Sequence, residues 1–177
     1  MPDLTDLAAI DLATAIKARE VSCVEVMQTF LERIDTLNPT LNALVNLTPQ
    51  EDCLMLAKQA DKAIHAGNYR SWLHGIPIAI KDNVETLDPI PTTAGSTALM
   101  NYFSDKDSPI IESVRNSGAV ILGKTNLSQW ANFRSNYSIS GWSSVGGQVK
   151  NPHILDRTPC GSSSGSAVAV AAGLVTL

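Results

Sequence analysis

Near its C-terminal end the sequence sets four hydroxyls around two glycines, in Gly161-Ser162-Ser163-Ser164-Gly165-Ser166. A flexible linker of such composition would continue polar, but Ala167, Val168, Ala169, Val170, Ala171 and Ala172 follow at once. A loop running into a small-residue helix would instead present free backbone N–H groups to an anion. Phosphate cradles, however, carry a lysine after the second glycine or the spacing G-x-G-x-x-G, and neither is present here. The remaining chemistry is nucleophilic, in which a serine hydroxyl must hand its proton to a base.

Histidine is the usual base, and this chain offers poor ones. His65 sits near a helix end, His74 precedes a Gly-Ile-Pro turn and His153 follows Asn-Pro, so each reads as solvated or structural. Lysine can serve only when neutral, which requires its pKa to fall from about 10.4 to about 7–8. At about 1.36 kcal/mol per unit, that fall needs roughly 4 kcal/mol of differential stabilisation, from burial or a neighbouring cation. Among the lysines, Lys81 alone reads as directly following an apolar strand, so its stem can lie in the fold while its amine faces a cleft at the sheet's end. Asp82 beside it would raise that pKa unless strand alternation turns the carboxylate to the other face.

The elements that would position these residues follow from spacing. A short helix is predicted from about Asp11 to Arg19. Ser22-Cys23-Val24-Glu25 is a capping box, and Val26, Met27, Phe30, Leu31 and Ile34 recur behind it at helical spacing up to Asn38-Pro39. Thr48-Pro49-Gln50-Glu51 repeats the signature with proline at the first helical position, and Gly67 stops that helix. Ile76 to Ile80 reads as a buried strand that ends where Lys81, Asp82 and Asn83 arrive. Asp107-Ser108-Pro109 starts a helix to about Ser117, and Ala119 to Leu122 follows as a second strand before Gly123-Lys124. Ser138 to Gly147 reads as a loop. Strands alternating with helices predict an α/β fold in a single domain.

Composition narrows the function. With 177 residues, 44% of them hydrophobic and 17% charged, the chain has the makeup of a globular domain. A net charge of -4, a pI near 5.3 and scattered Lys and Arg argue against a nucleic-acid partner. Cys23, Cys53 and Cys160 form neither a C-x-x-C pair nor a metal-spaced set with histidine, so no metal site is expected and all three read as buried thiols of a reducing compartment. The acidic N-terminus lacks the pattern of a secretory signal, and the longest uncharged apolar stretch, Ser166 to Leu177, is too short for a membrane span. A cytoplasmic location without membrane contact is the expectation.

Four segments then carry a resemblance: GIPIAIKDN (75–83), TTAGS (92–96), GAVILGKTNLSQWA (118–131) and PCGSSSGSAVAVAAG (159–173). In this order and context they are similar to the amidase signature family, and the match runs across nearly the whole chain. NLSQWANFRS (126–135) and SGWSSVGGQVKNP (140–152) look closest to its peptide amidase branch. The resemblance implies a mixed β-sheet surrounded by helices, no cofactor, and a Ser-cisSer-Lys triad acting on a linear or peptide-terminal carboxamide. By it Lys81 is the motif lysine. Ser162, after Gly161, is the bridging serine whose preceding peptide bond is cis, and Ser163 belongs to the same motif. Asn83, Thr93 and Asn126 fall on motif positions and are expected to fix loops by hydrogen bonding. Trp130, Phe133 and Trp142 could line an acyl pocket, with interior packing their plainer role. The family's nucleophile comes from a second Gly-Ser segment after a further strand. Residues 1–177 are therefore expected to be the N-terminal part of one amidase signature domain that stops before the nucleophile, inactive by itself, with the missing remainder as its partner. The alternatives are a non-catalytic scaffold chain, or an amidotransferase subunit of the same family.

Overall fold

Ser22 and Glu25 close the box their spacing predicts, which fixes where the longest helix begins. In the computed structural model, which describes residues 3–177, the Ser22 hydroxyl accepts from the Glu25 amide at 3.1 Å, and the Glu25 carboxylate accepts from the Ser22 amide at 2.9 Å. Helix α1 spans Ala9–Ala18 and is ended by Arg19 in the left-handed region; α2 spans Cys23–Leu41. Val26, Met27, Phe30, Leu31 and Ile34 are the buried stripe of α2. Truncating a fully buried phenylalanine such as Phe30 to alanine costs about 3–5 kcal/mol.

The helix runs past Pro39, where the sequence predicted its end. Asn38 explains this, because its side-chain amide donates to Leu44 O at 3.0 Å and accepts from Leu44 N at 2.8 Å, stitching the last turn to the chain beyond it. Asn42, in the left-handed region, then ends the helix. The expected second capping box is not made. Helix α3 spans Gln50–His65 with Pro49 at its N-cap and no side-chain cap. Thr48 is taken up by a neighbouring strand instead, its amide donating to Leu122 O and its hydroxyl to Ile121 O. From α3, Asp61 accepts from the Cys23 and Val24 amides at 2.7 and 3.2 Å, so one helix supplies an anion to the start of another.

Three strands form the main sheet: β1 (Leu44–Leu47), β2 (Pro77–Lys81) and β3 (Val120–Thr125), in the order β1-β3-β2. β2 runs parallel to β3 and β1 antiparallel to it, which makes the sheet mixed, as the resemblance implies. All six residues of the central β3 are buried, as expected of a strand covered on both faces. Two expectations are corrected here. β1 has no counterpart in the sequence reading, and β3 continues through Gly123-Lys124 instead of stopping at Leu122.

Helix α4 (Pro109–Asn116) precedes β3. The Gly/Ser-rich loop contains a two-rung hairpin of β4 (Trp142–Ser143) and β5 (Gly147–Gln148). Helix α5 (Ser164–Ala171) packs against β2 and β3. No helix among the described residues is long and apolar enough to cross a membrane.

Candidate active site

Register decides which side chains meet. Ile80 pairs with Lys124 and Lys81 with Thr125 across β2 and β3. Paired residues share a face and neighbours along a strand alternate, so Lys81 and Thr125 face one side while Lys124 and Ile80 face the other. α5 lies on the Lys81 side. The Thr125 and Ser166 hydroxyls are 2.7 Å apart. The Lys81 Nζ lies 2.8 Å from Ser162 Oγ and 2.9 Å from Ser163 Oγ, donating to both. Lys81 is half-buried, and burial holds its pKa below the usual lysine value. The Gly161–Ser162 peptide bond is cis.

The two glycines around the serine triplet are there because neighbouring atoms, backbone at Gly165 and serine side chains at Gly161, pass too close for anything larger. A Cβ on Gly165 would lie 2.3 Å from Ala43 O and 2.4 Å from Asn126 O, and one on Gly161 would lie 2.5 Å from Ser128 Oγ. Between these clamps the loop is tied down by hydrogen bonds. Gly165 N donates to Asn126 O at 2.9 Å, Ser128 N to Ser162 O at 3.0 Å, and Ser164 Oγ to Cys160 O at 2.6 Å. Ser164 is therefore occupied with the backbone, whereas Ser162 and Ser163 turn their hydroxyls to the lysine.

Asp82 takes the opposite face, as alternation requires. Fully buried, it accepts from the Thr93 hydroxyl, from Thr93 N at 3.2 Å and from Gly95 N at 3.4 Å. Burial raises its pKa, and the bonds from Thr93 and Gly95 and the charge of Lys124 pull it back. Thr93 thus ties down its loop. So does Asn126, whose amide donates to Asn42 O at 3.0 Å and whose Oδ1 accepts from Ser143 Oγ at 2.7 Å. Asn83 does not: it is exposed, and its side chain makes no hydrogen bond among the described residues. Its expected role falls to the preceding residue, Asp82.

Several other expectations change. Trp130 is 43% and Phe133 93% exposed and Trp142 is half-buried under Arg134, so none of the three packs in the interior of the described residues. Cys23 and Cys53 are buried, but Cys160 is exposed because it lies in the loop that carries the serines to Lys81. His65 and His153 are exposed and His74 is buried far from the serines in the fold, its Nδ1 accepting from Arg70 N, so no histidine joins the site. The sequence reading also missed Lys124. It is completely buried, donates to Val84 O at 2.6 Å and Thr92 Oγ1 at 2.9 Å, and is pushed down to about 8 by burial. Gly123 hid it, because a glycine followed by a lysine reads as the end of a strand, whereas β3 runs on to Thr125.

Chemically, the arrangement is a desolvated amine in hydrogen-bond contact with two hydroxyls, with no carboxylate on its face to hold it protonated. A proton can pass between serine and lysine along that contact.

A family model described as Amidase matches residues 25–177. A probable amidase of Arabidopsis thaliana is 41% identical over 169 residues, covering 94% of this chain and 33% of that protein. A glutamyl-tRNA(Gln) amidotransferase subunit of Coxiella burnetii is 44% identical over 165 residues, covering 93% of this chain and 32% of that protein. Among solved structures, native peptide amidase from Stenotrophomonas maltophilia superimposes with a TM-score of 0.91 at 46% identity, covering 96% of this chain and 35% of that one. The chain spans about a third of the length of these relatives.

Proposed function

Because the chain belongs to the amidase signature family, we propose that Lys81 and Ser162 form the proton-transfer half of a carboxamide hydrolase whose substrate is a linear or peptide C-terminal amide. The observation that carries this reading is the 2.8 Å contact between a desolvated amine and a hydroxyl held in a clamped loop.

On this reading neutral Lys81 accepts the Ser162 hydroxyl proton as Ser162 takes the proton of an attacking serine hydroxyl. The oxygen so freed bonds to the amide carbonyl carbon, and the C–N bond breaks as the lysine's proton returns to the leaving nitrogen, which departs as ammonia. Water then cleaves the acyl ester by the same proton path and releases a carboxylate. Ser163, 2.9 Å from Lys81, helps to hold the amine in line. The attacking serine and most donors to the oxyanion belong to the part of the domain that the relatives have beyond these 177 residues. This chain by itself is then a partial domain that needs that part, in the same polypeptide or supplied in trans.

The reading is tested by joining the chain to the remaining part of a relative's domain and assaying ammonia release from a peptide amide. Lys81→Ala should abolish turnover, and Ser162→Ala should cut it by orders of magnitude. A loss below about tenfold in Ser162→Ala, worth about 1.4 kcal/mol, would rule out the proton bridge. The unjoined 177-residue chain should release no ammonia. A second reading, an amidotransferase component, rests on the 44% identity to the Coxiella protein. It predicts glutamine as the amide cleaved and ammonia passed to a partner.

A further inference from the structure

At the end of the sheet away from Lys81 lies a cavity of about 160 Å³, between α3 and the start of β3. Gln59, Arg70, His74, Arg115 and Gly118 line it with a few small apolar side chains, and no Asp or Glu does. β2 is five residues long, so at about 3.3 Å per residue the cavity and the Lys81 amine are separated by roughly 15 Å or more.

We propose that this cavity is a binding site for a small oxyanion, a carboxylate or inorganic phosphate, whose charge is met by the Arg70 guanidinium and whose oxygens accept from His74 and Gln59.

His74 points to a ligand most directly. The residue is buried, with 3% of its surface exposed. Nδ1 accepts from Arg70 N at 3.1 Å, so this nitrogen carries no proton and Nε2 carries the ring's N–H. That N–H has no acceptor among the described residues. The N–H is not sealed from solvent, so an acceptor entering the cavity would take the place of water there. Gly118 packs against the same edge of the ring, a Cβ there coming within 2.6 Å of Cδ2, which leaves the cavity as the open side. Burial and the nearby Arg70 charge keep the ring neutral, so it acts as a donor and adds no second cation.

Charge selects the class of ligand. Arg115 is already spent, its guanidinium held by Asp107 at 2.8 and 3.0 Å and by Asp88 at 3.0 and 3.2 Å. Arg70 is exposed and its side chain makes no ion pair or hydrogen bond among the described residues. One uncompensated cation among neutral donors and no anionic wall favours a small anion and repels metal ions. Pockets for drug-sized ligands run to about 300–1,000 Å³, so this one suits a group of a few heavy atoms.

The test is an NMR titration of the ¹⁵N-labelled 177-residue chain at neutral pH with sodium acetate and, separately, sodium phosphate, with sodium chloride holding ionic strength constant. The His74 Nε2 resonance and the Gly118 amide should shift and saturate with at least one of the two. Saturation by acetate alone would assign the site to carboxylates and by phosphate alone to phosphate. Arg70→Ala should weaken binding about tenfold or more, and Gln59→Leu by less, both positions being exposed and tolerant of change. The proposal fails if chloride produces the same shifts, if no saturation is reached below about 50 mM, or if Arg70→Ala binds as well as the parent chain.

Discussion

Lys81 and Lys124 stand on adjacent strands, one residue out of register, and the sheet turns them into different chemical objects. On one face, Lys81 meets only hydroxyls, and burial lowers its pKa unopposed. On the other, Lys124 lies deeper yet is surrounded by anions: Asp82, Asp88, Asp107 and Glu85 all pull its pKa up against the burial that pushes it down to about 8. Its Nζ joins the two ends of the excursion from Val84 to Thr92, from which Thr93 reaches Asp82. On the proposed reading, a lysine that must be neutral to act as a base needs a face without carboxylates, and a lysine that braces a loop needs the opposite. Depth alone does not separate a base from a strut; the sign of the neighbouring charge does.

Exchanging each side chain for an uncharged one should therefore give unequal losses. Lys124→Met leaves buried carboxylates unbalanced and should lower unfolding stability of the 177-residue chain by about 3 kcal/mol in a urea titration. Lys81→Met should change stability by no more than about 0.5 kcal/mol. Equal losses would erase the distinction. A smaller effect is expected of Thr92→Val, which removes one partner of Lys124 while keeping shape. A loss of about 1 kcal/mol should appear in the same titration, and no loss would mean that Val84 O alone holds the amine.

The smallest effect is on pH dependence. The folded chain releases the Lys124 proton near pH 8, while the unfolded chain keeps it to about 10.5. Between these values the unfolded state binds more protons, so stability rises with pH, and Lys81, also lowered, contributes with the same sign. The thiols oppose this above about pH 9, where the unfolded chain loses protons that burial makes the folded chain keep, Cys53 being pushed up to about 11 and Cys23 higher. A shallow rise in urea midpoint from about pH 8 to 9, reduced in Lys124→Met, is expected. A fall over that range in the parent chain would overturn the assignment of Lys124 as a desolvated cation.

How far the sequence reveals this contrast depends on how local each cause is. The start of α2 was legible because a capping box acts over four residues. Lys81 was legible because charge arrives abruptly after Ile76 to Ile80. Lys124 was not, since Gly123-Lys124-Thr125 has the look of a strand's end, and the groups that bury it, Val84 and Thr92, lie 40 and 32 residues away. β1 escaped for a similar reason: Leu44 to Leu47 becomes a strand only because β3 offers an edge for it. The meeting of Lys81 with Ser162 spans 81 residues, and no spacing rule reaches so far. It was anticipated through the family resemblance, whereas the exposure of Trp130 and Phe133 was not anticipated at all.

Cys160 sits one residue before the clamp at Gly161 and is the only one of the three thiols open to solvent. Its position gives the chain a built-in attachment point beside the serine loop. A maleimide dye or nitroxide should couple there without mutagenesis, since the other two sulfurs are shielded and hard to ionise. The label would then report, from two residues away, any rearrangement of Ser162 when the rest of the domain docks.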